Sequence, residues 1–419
     1  MRTINRYLEI IIGNIGRDPR ANSSPQRSKP LTNLRRAMIA NKRMLILFAL
    51  ILLPVFAGCT RDIGSESDGW NPPVSSDGVV YVATKDGEVK AFIDDGSGNL
   101  QVSWTFPSSL EQNALLGVYN TPVVEGDLVY VNGIDGFLYA LDKETGQPHG
   151  EGWRRPDNSF EDPEPLVAGP AYDPVHDIIL SPSEDGFLYA YTAKNGNEFW
   201  SPFQTGGAIW STPAVDKGVA YFGSHDHKVY AVNLDAGDEL WSYETKGVVA
   251  GKPLVFDGKI FAGSFDKSLY ALSAKDGSVA WTIEGENWFW AGAVTDGNTI
   301  FAPNMDGNIY AIDRNGRLLW KHDVGSPIVS SPVVVPVGLV VAAKDGNVIL
   351  LDTRTDNLGL QRVLFNQKIG DAEIKAPLFA VGDSVYVGSE DKTVRRIEFK
   401  TGRQLNVWCL HTKDGVCTN

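Results

Sequence analysis

Between Ser211 and Glu244 the apolar and polar positions follow a short grammar. "STPAV" (Ser211 to Val215) and "GVAYFGS" (Gly218 to Ser224) read as two strands, the second with alternating apolar residues. An Asp corner follows, then "KVYAVNL", a turn around Gly237, and "ELWSYE". Four short strands per unit are predicted, joined by tight turns. The grammar repeats eight times, with corners at Asp86, Asp135, Asp185, Asp226, Asp266, Asp306, Asp345 and Asp391. The intervals are 49, 50, 41, 40, 40, 39 and 46 residues. A tryptophan closes most units: Trp104, Trp153, Trp200, Trp241, Trp281, Trp320 and Trp408; the seventh unit offers Leu364 and Phe365 instead.

A period near 40 with four strands per unit predicts an all-β fold, an eight-bladed β-propeller of four-stranded antiparallel blades. One blade cannot bury both of its faces alone, so blades must stack around an axis. The closing tryptophans are then expected as wedges between neighbours, each burying roughly 200 Å². Asp-Gly at a corner is a strong hairpin signal, because one turn position needs a positive φ. Asp226-His227, Asp266-Lys267 and Asp391-Lys392 lack the glycine. Those corners must carry strain of about 1 kcal/mol or use a different turn.

The 43 glycines and 11 tryptophans, against 4 methionines in 419 residues, agree with turn-rich β structure. Charge is unevenly spread. Residues 1–43 hold ten Lys/Arg and two Asp/Glu, whereas the chain from Cys59 onward holds 28 basic and 49 acidic residues, a net of about −21. Such a surface repels phosphates and anionic headgroups, which excludes nucleic acid as a partner.

Lys42 and Arg43 precede an uncharged run, "MLILFALILLPVFAG" (Met44 to Gly58), that ends at Cys59. Its fifteen residues fall short of the about 20 that span a bilayer and suit an export signal. The ending "FAGC" resembles the bacterial lipobox, with Phe56 where Leu is usual. That resemblance implies lipidation at Cys59, and Thr60, not Asp, after it implies outer-membrane sorting. The expected organisation is an upstream extension (1–37), a lipoprotein-type signal peptide (38–58), a tether (59–69), the propeller (70–410) and a tail (411–419). In an exported, oxidising compartment Cys409 and Cys417 can pair.

"DGFLYALDKETG" (Asp135 to Gly146) followed by Trp153 resembles the pyrroloquinoline-quinone (PQQ) repeat, as do "DKSLYALSAKDGSVAW" and "DGNIYAIDRNGRLLW". The resemblance covers all eight units. Quinoprotein dehydrogenases share this repeat but add a calcium site, a catalytic Asp and commonly a vicinal Cys-Cys pair. This chain has no Cys-Cys and one aspartate per corner, so neither PQQ with calcium nor a catalytic set is expected. Eight units, a lipobox and no catalytic set resemble the BamB family of outer-membrane lipoproteins. That family implies a non-enzymatic scaffold that binds a protein partner in the cell envelope through loops on one face, with membrane contact through the lipid anchor alone.

What does not repeat is the place to seek function. The connections at 107–120, 154–166 and 284–290 are irregular. Aligning the units at the position three residues before the proline of the first strand puts Trp70, Tyr119, Val167, Trp210, Ala250, Trp290, Val329 and Ile374 near one mouth of the axial channel. Trp70, Tyr119, Trp210 and Trp290, with Trp288, form a candidate aromatic site for a partner or small ligand, or else a packed plug. His225-Asp226-His227 is read as a hairpin corner, not a metal site. Three function classes stay open, in this order: an envelope scaffold, a ligand-binding or sensing module, and a quinoprotein enzyme.

Overall fold

The computed structural model describes residues 72–84, 86–94, 100–108, 115–150, 153–156, 163–354, 362–399 and 403–409. The chain divides into two units, Met1–Ser65 and Glu66–Asn419, and every described residue belongs to the second. The described residues form thirty-two strands and no helix, arranged as eight four-stranded antiparallel sheets. These are the eight blades of a β-propeller, spanning residues 73–106, 123–155, 171–204, 214–244, 254–284, 294–323, 333–368 and 379–409.

In each blade the first strand is innermost and strands follow in chain order to the rim. Second and third strands are buried on both faces, which explains their continuous apolar runs. In blade one, Val80 and Val82 face blade eight while Tyr81 and Ala83 face blade two. Eight apolar clusters result, one per blade interface. Near the axis the blades approach closely through small residues. The Gly169 amide donates to Thr212 Oγ1 at 2.9 Å, Ser211 Oγ to the Gly251 carbonyl at 2.8 Å, and the Gly292 amide to Ser331 Oγ at 3.0 Å.

The ring closes without strand exchange. The first strand of blade one, Pro73–Ser76, lies beside Phe379–Val381 of blade eight, and both sheets keep their own four consecutive strands. Val80, Val82 and Phe92 pack against Tyr386, Val394 and Phe379, and Lys392 Nζ stands 3.2 Å from Asp86. The expected Cys409–Cys417 link lies outside the described residues.

Corners between second and third strands share one face with the connections between blades; we call it the loop face. The opposite face carries the other two turns of each blade. There, inner turns reach the outer turns of the next blade. Lys143 meets Asp77 at 2.5 Å across blades one and two, and His176 bridges Asp173, at 2.5 Å, and Asp235 of blade four, at 2.7 Å.

Candidate functional site

All eight Asp corners adopt one turn. A backbone bond closes it three residues apart, as from His227 to the Ser224 carbonyl at 3.2 Å, and the residue after the aspartate is left-handed. Glycine fills that place in five corners, and His227, Lys267 and Lys392 adopt φ of 72°, 74° and 64° in the others. The corners without glycine therefore use the same turn, a type I turn closed by a left-handed residue, at a cost of about 1 kcal/mol each.

The aspartate itself is consumed by this architecture. In blade four, Asp226 Oδ1 accepts the Lys228 amide at 3.0 Å, while Oδ2 accepts the Gly206 amide at 2.7 Å and the Tyr230 hydroxyl at 2.5 Å. Gly206 lies on the connection entering the blade, so one carboxylate ties hairpin, strand and loop together. Asp266 and Asp306 repeat the pattern with Tyr270 and Tyr310. Tyr189 bonds Asp185 at 2.7 Å, and Tyr139 bonds Asp135. Burial pushes these tyrosine hydroxyls above their usual range, and the carboxylate beside each adds to the effect, so they remain donors. Elsewhere the partner changes: Arg395 meets Asp391 at 2.9 Å, Asn347 meets Asp345 at 2.7 Å, and Lys392 meets Asp86. Burial alone would raise the Asp391 pKa, but the Thr393 and Arg395 bonds outweigh it and hold the carboxyl low.

The closing tryptophans face the next blade's outer turn. Trp200 packs on Gly237, whose φ is +76°, and a Cβ on that glycine would stand 2.7 Å from the indole. Trp104, Trp153, Trp241 and Trp281 sit likewise on Gly146, Gly196, Gly277 and Gly316. Indole nitrogens donate to that turn from Trp104 to Lys143, at 3.0 Å, and from Trp241 to Ala274, at 3.0 Å. Trp320 instead lies under the Arg362 guanidinium, 4.0 Å from the ring centroid. The side chain of Trp408, like Cys59, Trp70 and Cys417, lies outside what is described.

On the loop face the aromatic candidates separate into two groups. Phe265, the residue before corner Asp266, stacks on Trp288 at 4.6 Å and 5° and on Trp290 at 5.1 Å and 17°. All three rings are only partly buried. Trp210 forms the second group. Its indole donates to Glu184 Oε1 at 2.7 Å and its ring meets His225 edge-on at 4.3 Å. Burial raises the Glu184 pKa and pushes that of His225 down to about 4, so the imidazole is neutral at physiological pH. Tyr119 is partly buried. Ile374 does not line the mouth: it is fully buried between blades seven and eight, and its neighbour Lys375 carries the polar contacts there.

Lys375 belongs to a network that the sequence did not suggest. Lys344 meets Glu373 at 3.3 Å, Lys375 meets Glu373 at 2.8 Å, and Lys375 also pairs with Glu390. Burial alone would lower the Lys375 pKa, but the two carboxylates override it and keep the ammonium charged. The loop face is thus two-sided, with aromatic stacks on blades four to six and alternating charges on blades seven and eight. The available signal was the residue just before six of the corner aspartates: Glu184, His225, Phe265, Met305, Lys344 and Glu390.

Among the described residues no group of three or more His, Cys, Asp or Glu side chains is placed to hold a metal. The corner aspartates are spent on their own amides and partners, so they supply no convergent carboxylate set for a PQQ–calcium centre.

A curated protein from Yersinia pestis, "Outer membrane protein assembly factor BamB", is 28% identical over 179 residues, or 41% of this chain and 42% of that protein's length. The crystal structure of BamB from Moraxella catarrhalis superposes with a TM-score of 0.61 at 17% identity, covering 82% of this chain and 95% of that one. The computationally designed Ika8 protein superposes at 0.65 with 16% identity, covering 80% and 97%, a likeness of fold alone. The family model described as "Outer membrane protein assembly factor BamB" matches residues 61–159, 184–288, 284–359 and 306–414. Matched over most of its length and built from eight PQQ-like blades, this chain belongs to the BamB family of β-propellers.

Proposed function

We propose that this protein is a non-enzymatic scaffold of outer-membrane protein assembly, exported, anchored to the membrane through a lipid on Cys59, and docking a protein partner on its loop face. Family membership supports the process, which is the one its relatives are named for. The docking surface rests on one observation: the Phe265 ring stacked on Trp288 and Trp290, partly exposed, on the face where the irregular connections gather. Large aromatic side chains held rigid by stacking anchor interfaces at low entropic cost. The side chains that repeat maintain the ring, which leaves function to those that do not.

The test is copurification from cross-linked envelopes of the source organism. A barrel-assembly protein recovered with the wild-type chain and lost with the double variant Trp288→Ala, Trp290→Ala supports the proposal. Equal recovery with the double variant, in a folded protein, rejects the docking surface. Processing of the chain at Cys59 is read separately by mass spectrometry of the N-terminus.

A further inference from the structure

Where the ring closes, blade eight departs from a pattern that the other blades keep. In six blades the third-strand residue that pairs with the middle of the second strand is alanine: Ala91, Ala140, Ala190, Ala231, Ala271 and Ala311, each at most 1% exposed. Blade seven has the buried Leu350 there. Blade eight has Arg396, paired with Tyr386 and only partly buried. Tyr386 packs toward blade one, so Arg396, its partner across the ladder, faces blade one as well. A guanidinium stands where the fold elsewhere buries a methyl group.

Arg396 lines a cleft of about 300 Å³ on the face opposite the loops, between the first hairpins of blades one and eight. Ser75 and Asp77 of blade one and Val381, Ser384 and Tyr386 of blade eight line it too. At other interfaces a long side chain from the next blade's outer turn crosses this groove: Lys143 reaches Asp77, and Arg314 stands 4.0 Å from Asp257. Arg396 instead turns back onto its own blade. Its Nε donates to Ser384 Oγ at 3.0 Å, and with its further contacts the guanidinium is held in place. Polar capacity is left over on both walls. Ser384 Oγ accepts from Arg396 and keeps its own proton to donate. Among the described residues nothing bonds the Ser75 hydroxyl. Lys143, at 2.5 Å, and Ser76, at 3.1 Å, both donate to Oδ2 of Asp77, which leaves Oδ1 as an acceptor. Lys143 neutralises Asp77, and Glu398, across the ladder from Ser384, does not line the cleft, so Arg396 sets its sign.

We propose that this cleft binds a small hydroxylated carboxylate, a sugar acid by class, with its carboxylate on Arg396 and its hydroxyls between Ser75, Ser384 and Asp77 Oδ1. The planar guanidinium matches a carboxylate in shape and charge. Two serine hydroxyls and a spare carboxylate oxygen suit a ligand that both accepts and donates around one ring, and Val381 supplies an apolar wall. The volume lies at the lower end of ligand pockets, which fits a single ring and not an extended chain. The site is independent of partner docking, because Trp288 and Trp290 lie on the opposite face and in another blade interface.

Calorimetry on the intact chain with glucuronate, glucose and acetate tests this. Glucuronate is expected to bind about tenfold or more tightly than glucose, which lacks the carboxylate, and than acetate, which lacks the hydroxyls. Arg396→Ala installs the residue that most blades already carry, so it is expected to fold and to lose about tenfold or more in glucuronate affinity. Ser75→Ala is expected to weaken binding severalfold with an unchanged melting temperature. The double variant Trp288→Ala, Trp290→Ala is expected to bind glucuronate as wild type does. Absence of glucuronate binding, glucose or acetate binding as tightly as glucuronate, or undiminished binding by Arg396→Ala and Ser75→Ala overturns the proposal. Partner recovery is read on the aromatic variant and sugar-acid binding on Arg396→Ala, so either reading can fail alone.

Discussion

The Tyr230 hydroxyl lies 2.5 Å from Oδ2 of Asp226 and donates to it, four residues along the same hairpin. The bond recurs between Tyr189 and Asp185, Tyr270 and Asp266, and Tyr310 and Asp306. Because the same carboxylate also holds the incoming loop through Gly206, its loss frees several donors at once. Asp226→Ala is expected to destabilise the ring by about 1–3 kcal/mol, and Tyr230→Phe by about 1 kcal/mol. Urea unfolding measures both, and neither variant is expected to change partner recovery once folded. A catalytic aspartate would show the opposite pattern.

The two classes of tryptophan separate by substitution. Trp200 is buried against Gly237 of the next blade, so Trp200→Ala is expected to cost about 3–5 kcal/mol. Trp290 is partly exposed, and Trp290→Ala forfeits mainly its stack on Phe265, about 0.5–1.5 kcal/mol. Thermal melts distinguish them. Comparable losses at both positions would place Trp290 in the packed core, as a plug.

Lys267 occupies a left-handed position, φ 74°, that glycine fills in five sister corners. Lys267→Gly is expected to stabilise by at most about 0.5 kcal/mol, the relief of side-chain strain less the greater backbone entropy of glycine. Gly307→Lys, at the equivalent corner of blade six, is expected to lose more, because a Cβ there would also stand 3.2 Å from the Ser326 carbonyl oxygen. Denaturation midpoints at matched slope read both.

Two histidines set opposite pH dependences. His176, bonded to Asp173 and Asp235, has its pKa raised above 6.5, so its contribution is full below 6.5 and fades as pH rises through the folded value. His225 is desolvated, with its pKa lowered to about 4; its contribution is full above 6.5 and fades as pH falls toward 4. The gap between the unfolding midpoints of His176→Gln and wild type is expected to close as pH rises through the folded pKa of His176, and that between His225→Gln and wild type as pH falls toward 4. Parallel curves across the range would contradict both assignments.

Much of the scaffold was legible because it repeats. Asp corners, closing tryptophans and the turn glycines recur at fixed offsets, and a side chain needed once per blade appears once per unit. The shared turn at His227, Lys267 and Lys392 was not legible, since nothing local says that the ring holds three residues left-handed against their preference. Phe265, Lys344, Glu373, Lys375 and Glu390 were missed for the converse reason. Their positions are not held constant from unit to unit, and the partners of Lys375 are brought together only when blades seven and eight close on one another. Counting back from the proline placed Ile374 at the mouth, whereas the packing of blade eight buries it. Closure of blade eight on blade one uses Val80, Val82, Tyr386 and Val394, which read in sequence as ordinary strand residues.

The docking surface is tested most directly by a photo-activated cross-linking residue placed at position 288, at 290, or at Leu240, which is 52% exposed on an outer strand away from the loop face. Cross-linking in living cells from 288 and 290 to one outer-membrane assembly protein, with none from 240, is the expected result. Equal cross-linking from all three positions, or cross-linking from 240 alone, would contradict a partner seated on the aromatic mouth.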